Sequence, residues 1–219
     1  PASPPPPAAA APARRKIPST PGRAGIEWVS LPGGSFMMGS QEQGETPIHK
    51  VTLPSFELSR TEVTFGQYAA CVKQGACTPA HVADGTCRFY EGGYKVGNLP
   101  AAFLGDDQPA VCLSWQQALD FARWAGGDLP SEAQWEYAAK SGGKDKEYPW
   151  GAESPSRFTA VTLDGKRGGG RDATWPVCSK PDGDTEQGLC DMAGNAQEWI
   201  KDWYNGSYEG APVDGSALE

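Results

Sequence analysis

The sequence predicts an α+β fold with little regular secondary structure and long loops. Three observations carry this. Twenty-eight Gly and twenty Pro among 219 residues mark a chain broken by many tight turns. The apolar patterns that follow Ile26 alternate only over short stretches, as short strands do. Beyond the first strands, three segments carry a helix-start signature, a hydroxyl residue three positions ahead of Gln.

Residues 1–24, PASPPPPAAAAPARRKIPSTPGRA, predict a disordered Pro/Ala-rich linker, an extended and semi-rigid tether to a domain spanning 25–219. IEWVSLPGGSFMMGS predicts two short strands about a Pro-Gly-Gly turn, and HKVTL (49–53) alternates as a strand should. SFELSRTEVT continues extended. The helix starts are Thr64 with Gln67, Ser114 with Gln117 and Ser131 with Gln134. The second helix presents Trp115, Ala118, Leu119, Ala122 and Ala125 on one face and stops at Gly126-Gly127; the third presents Trp135, Ala138 and Ala139 and stops at Gly142-Gly143. Beyond Tyr148 the chain reads mostly as loop, and loops this long are functional, metal-tied or cross-linked.

A hydrophobic content of 38% with eight Trp is ample for a core, while a formal net charge of −8 argues against nucleic acid as a partner. ARRK at 13–16 is the sole basic cluster. No apolar run approaches the ~20 residues that span a bilayer. The chain opens at Pro1, so any targeting signal has been removed or lies outside it, and membrane contact is expected only through an N-terminal anchor outside this chain. Six cysteines suggest disulfides in an oxidising compartment, and sequence neighbourhood favours Cys71–Cys77, Cys87–Cys112 and Cys178–Cys190. Zinc fits poorly: there is no CxxC, and His49 and His81 lie outside any ligand spacing.

DMAGNAQEW (191–199) gathers Asp191, Gly194, Asn195 and Glu198 just before WIKDWY (199–204), an aromatic stretch that reads as an entry into the core. A hard dication takes about six to eight oxygen ligands, mixing carboxylates with backbone carbonyls. Asp191 and Glu198 offer carboxylates, and a turn at Gly194-Asn195-Ala196 offers carbonyls. A turn with an Asx cap explains the same residues, and chemistry alone leaves both readings open. Elsewhere there is no nucleophile elbow, and Gly168–Gly170 between Arg167 and Arg171 lacks the GK[ST] of a P-loop.

Several blocks in order, FMMGS, HKVTLPSFELSRTEVTFGQYAACV, PAVCLSWQQALDFARWAGGDLPSEAQWEYAAKSG, YPWG and GLCDMAGNAQEWIKDWY, together resemble the formylglycine-generating enzyme family, also called sulfatase-modifying-factor domains. The resemblance covers Ile26 to Tyr204, and its cysteine-rich blocks look like the exported bacterial members. It implies a C-type-lectin-like fold and a structural Ca²⁺ held by Asp191, Gly194, Ala196 and Glu198, with Gly194 and Ala196 acting through carbonyls. The family commonly has Asn where Asp191 stands. A second family Ca²⁺ site maps near Thr159, where the usual Asn is replaced and Asp164 or Asp172 are the candidate substitutes. Family enzymes oxidise a client sulfatase cysteine to formylglycine with O₂, copper and a C-terminal thiol pair. No residue of this chain matches those thiols, so no catalytic residue is expected, and copper is expected only if a C-terminal thiol segment exists.

The resemblance therefore implies a C-terminally incomplete or non-catalytic domain, Ca²⁺-stabilised and disulfide-stapled. It would be exported to the periplasm, the cell surface or the medium, and would act as an accessory module through a protein or peptide partner. One alternative is the N-terminal part of a copper- and O₂-dependent oxidase. Another is a lectin-like carbohydrate-binding module, although Gln108-Pro109-Ala110 falls short of a sugar-site motif and no Trp-Asn-Asp occurs.

Overall fold

The computed structural model describes residues 19–161 and 171–218. The first strands are β1 (Ser19–Pro21), β2 (Glu27–Leu31), β3 (Gly34–Met38), β4 (His49–Leu53) and β5 (Phe56–Ser59). Alternation decides their faces. Val29 and Leu31 of β2, Phe36 and Met38 of β3, and Val51 and Leu53 of β4 are buried, each at most 5% exposed.

The two short strands expected about the Pro-Gly-Gly turn are β2 and β3. The strands flanking Pro32-Gly33 do not pair with each other. Instead β2 lies between β1 and β5 in an antiparallel sheet, while β3 pairs with β4. Gly33 explains the parting: a Cβ there would sit 2.6 Å from the Leu53 carbonyl oxygen, so the turn is pressed against the end of β4 rather than closed on itself. Of the expected linker, residues 1–18 lie outside the described residues, and the remainder is ordered. Ser19–Pro21 pair with Glu27–Val29, and the Gly22 N–H donates to the Ile26 carbonyl at 2.6 Å.

The helices are α1 (Phe65–Lys73), α2 (Trp115–Ala125) and α3 (Glu132–Ala139), and each opens on the expected reciprocal cap. Their termini follow local chemistry. Gly126 ends α2 at φ 96°, and Gly142 and Gly143 both donate to the Tyr137 carbonyl past the end of α3. The inward face of α2 is shifted from the expected one. Gln117, Leu119, Phe121 and Ala125 are buried, with Trp115, Ala118 and Ala122 half-buried, because the Gln117 amide turns inward to donate to Thr78 Oγ1 and the Pro79 carbonyl. On α3, Ala133, Tyr137 and Ala138 face the core and Trp135 is half-buried.

Ser131 has two jobs. Its Oγ accepts from the Gln134 N–H and donates to the Gly215 carbonyl at 2.8 Å, at 3% exposure. Ser131→Ala is expected to cost about 2 kcal/mol, the loss of a cap plus an unsatisfied buried carbonyl. A lower urea midpoint at unchanged m-value is the measurement, and a midpoint equal to wild type contradicts it.

A hairpin of β6 (Cys87–Tyr90) and β7 (Tyr94–Gly97) was not anticipated. The largest core cluster joins β2, β3 and β4 to α3 and to Leu189, Met192 and Tyr208; a second packs α1 on α2. After Tyr148 the described residues hold no α-helix and no strand longer than a bridge, as the sequence predicts.

All six cysteines are paired, as Cys71–Cys77, Cys87–Cys112 and Cys178–Cys190. These are the pairings that neighbourhood favours, and they suit an oxidising environment. Among the described residues no helix is long and apolar enough to cross a membrane.

Candidate metal centre

The loop from Leu189 to Trp199 is built onto the strand layer. Leu189, Cys190 and Met192 are buried, and the Cys190 N–H donates to the Arg60 carbonyl at 2.8 Å. That bond lays the loop along the chain leaving β5, where Glu62 follows two residues later. The disulfide from Cys190 to Cys178 brings the 175–180 segment to the other side.

Side chains then lock the turn. Asp191 (φ 58°) and Asn195 (φ 65°) are left-handed, a conformation that Asp and Asn tolerate better than most residues. Asp191 Oδ2 accepts from the Cys178 N–H at 2.6 Å. The Asn195 amide clasps Trp175 twice, its Oδ1 accepting from the backbone N–H at 2.8 Å and its Nδ2 donating to the carbonyl at 3.1 Å. Gly194 is obligatory: at φ 141°, a Cβ would stand 2.2 Å from the Val161 carbonyl oxygen.

Three carboxyl groups feel one another across this turn. Glu62 is 8% exposed, and neither of its carboxyl oxygens has a hydrogen-bond partner. Burial first, then the charges of Asp191 and Glu198, push its carboxyl well above the usual range, with the Asn195 amide opposing. Glu198 is pushed up to about 7, chiefly by the protein packed around it; the Trp135 indole opposes the rise and Asp191 adds to it. Glu198 as a whole residue is nonetheless exposed to solvent. The Trp135 Nε1, also buried, lacks a well-aligned acceptor. Lys180 lies behind the loop at 7% exposure, its amine lowered by burial while Asp191 favours the charged form.

A family profile described as the sulfatase-modifying factor enzyme 1-like domain matches residues 14–217. The chain belongs to that family. It is 35% identical over 228 residues to a formylglycine-generating enzyme of Streptomyces coelicolor, covering 82% of this chain and 70% of the relative. It is also 34% identical over 201 residues to the serine/threonine-protein kinase Pkn1 of Chlamydia trachomatis, covering 88% of this chain and 30% of that protein. Among solved structures, PvdO from Pseudomonas aeruginosa superposes with a TM-score of 0.71 at 30% identity, covering 94% of this chain and 82% of that one. The α+β architecture with sparse regular structure is thus that of the formylglycine-generating-enzyme type.

In this sulfatase-modifying-factor domain, the four positions expected to hold Ca²⁺ fall on one turn, with the orphaned Glu62 carboxyl beside them. Among the described residues no three His, Cys, Asp or Glu side chains converge at ligating distance. A cation here must therefore take backbone carbonyls as well, which is the role expected of Gly194 and Ala196. An all-oxygen donor set with excess negative charge fits Ca²⁺. The sequence missed Glu62 and Lys180, which reach the loop only through the Arg60–Cys190 hydrogen bond and the Cys178–Cys190 bridge.

The expected second site is not assembled by the described residues. Thr159 Oγ1 accepts from the Ser156 N–H in a local turn, Asp172 is exposed, and Asp164 lies outside the described residues. Copper finds no fit either, because every thiol of this chain is committed to a disulfide.

WIKDWY does not enter the core. Trp199, Trp203 and Tyr204 are 50%, 72% and 92% exposed and form a ledge beside the loop. The ledge is firmly anchored. Trp199 Nε1 donates to the Leu113 carbonyl, Trp115 Nε1 donates to the Ile200 carbonyl, and Trp203 stacks on Trp115. Asp202 accepts from the backbone N–H groups of Glu132 and Leu218.

Proposed function

We propose that this domain is a Ca²⁺-stabilised, exported recognition module of the formylglycine-generating-enzyme family, one that binds a protein or peptide partner and does not itself oxidise a cysteine. The aromatic ledge carries the recognition reading. Trp199, Trp203 and Tyr204 are three large exposed aromatic side chains within six residues, Trp199 held by its bond to Leu113 and Trp203 by stacking on Trp115, and aromatics of this kind are enriched in interfaces. The paired cysteines support the non-catalytic half, since they leave this chain no thiol with which to hold copper. The match to one part of a Chlamydia kinase is in keeping with such a domain serving inside other proteins. The three disulfides support export.

A second reading is favoured by the 35% identity to a formylglycine-generating enzyme: the chain is the N-terminal part of a copper- and O₂-dependent oxidase that converts a sulfatase cysteine to formylglycine. One experiment separates them. The full-length protein that carries this domain is incubated with Cu(I), O₂ and a CxPxR peptide, and the peptide is weighed by mass spectrometry. An unaltered cysteine is the expected result, and formylglycine in the peptide overturns the recognition reading in favour of the oxidase.

A further inference from the structure

A buried ammonium stands behind the loop, and neither the family assignment nor the expected ligands account for it. Lys180 Nζ donates to the Arg157 carbonyl at 2.8 Å and lies 4.0 Å from the centroid of the Trp175 ring. Its surroundings are held in place. Asn195 grips the backbone of Trp175 on both sides, and Asp191 is bonded to Cys178, two residues before the lysine. A lysine amine is costly to bury unless opposite charge faces it. Here Asp191 supplies that charge, and Asp191 in turn interacts with Glu62 and Glu198. Lys180 therefore offsets part of the negative charge that Asp191, Glu62 and Glu198 bring to this turn.

We propose that Lys180 is a fixed internal countercharge that sets the charge selectivity of the metal centre, favouring a divalent over a trivalent ion. This role presupposes a cation at 191–198. Without the ammonium the same carboxylates present one more negative charge. A trivalent ion then gains over Ca²⁺, because each unit of charge on the bound ion is repelled separately by the lysine.

Terbium distinguishes the two situations, because tryptophans line the site and can sensitise its emission. Tb³⁺ is bound to wild type, Lys180→Met, Lys180→Gln and Lys180→Arg and displaced with Ca²⁺, native folding being checked by circular dichroism. The preference for Tb³⁺ over Ca²⁺ is expected to rise about tenfold in Lys180→Met and Lys180→Gln and to stay at the wild-type value in Lys180→Arg. Glutamine keeps a polar head for the Arg157 carbonyl, so it preserves the scaffold if methionine does not. An unchanged preference in the neutral variants, with both ions bound, overturns the countercharge and leaves the metal centre standing. Failure of wild type to bind either ion overturns both.

Discussion

Stripping divalent cations with EDTA is expected to lower the melting temperature of this domain by about 10 °C, and Ca²⁺ to restore it. A ligand that binds only the native state, present at about a thousand times its dissociation constant, stabilises by about 4 kcal/mol. For a chain of this size each kcal/mol shifts the melting temperature by about 2–4 °C. The variants must separate ligation from backbone strain. Asp191 sits at φ 58°, so Asp191→Ala would disturb the turn as well as the charge, whereas Asp191→Asn keeps a residue that accepts this conformation. Asp191→Asn and Glu198→Gln should both blunt the response to Ca²⁺; Glu198→Gln should leave the EDTA-treated protein as stable as wild type or slightly more so, because it relieves crowding among carboxylates, whereas Asp191→Asn should cost some stability by removing the charge that faces Lys180. If EDTA shifts nothing and Asp191→Asn is neutral, the loop is a turn with an Asx cap and no more.

Acid should act on the same equilibrium. In the cation-free protein Glu198 holds its proton up to about pH 7, against about 4.3 for an unperturbed glutamate. Between those values the folded state binds more protons than the unfolded one, so cation-free stability falls as pH rises through the window. Ca²⁺ must displace that proton, and its stabilisation should be full above pH 7 and fade below it. Melting curves with Ca²⁺ and with EDTA, taken from pH 5 to 8, measure both slopes; parallel curves would remove Glu198 from the site.

Replacing Cys178 and Cys190 together by serine is expected to cost about 3 kcal/mol and to abolish most of the Ca²⁺ response. The first figure is typical for a bridge that closes a short loop. The second follows from position: Cys190 precedes Asp191, and the Cys178 N–H is bonded to the Asp191 carboxylate. The Cys71–Cys77 bridge is the control, for it closes a six-residue separation at the end of α1 and makes no contact with the turn. Its double serine variant should be less stable yet show the full shift with EDTA. Calorimetry of both variants with and without Ca²⁺ decides this, and an undiminished Ca²⁺ response in Cys178→Ser/Cys190→Ser removes the bridge from any role in the site.

What the sequence made legible is what neighbours in the chain decide. A capping box needs only a hydroxyl and a Gln three positions on, and all three helices begin where those pairs stand. DMAGNAQEW could be read because its acids, glycine and amide are nearly consecutive. β1 could not, since Ser19–Pro21 are exposed and bear no apolar alternation, being ordered only by their partner strand. Glu62 and Lys180 were equally silent. Glu62 lies far from residue 191 in sequence, Lys180 sits within the loop that the Cys178–Cys190 bridge closes, and each gains its meaning from a hydrogen bond or a bridge. WIKDWY misled for a related reason: an aromatic stretch gives the same local signal whether it fills a core or a ledge, and only the packing of Trp115 and the cap of α3 show which.

The irregular second half also carries an order of assembly. Four of its backbone donors look far back along the chain: Val177 to Asp107, Cys190 to Arg60, Lys201 to Pro130 and Tyr208 to Thr46. None of these acceptors belongs to the segment it secures. Local turns such as those closed by Gly188 on Thr185 and Ala211 on Tyr208 are thus docked onto segments that precede them in the chain. A chain made from its N-terminus forward presents the template before the part that needs it, and the late segment folds as a cast against that mould.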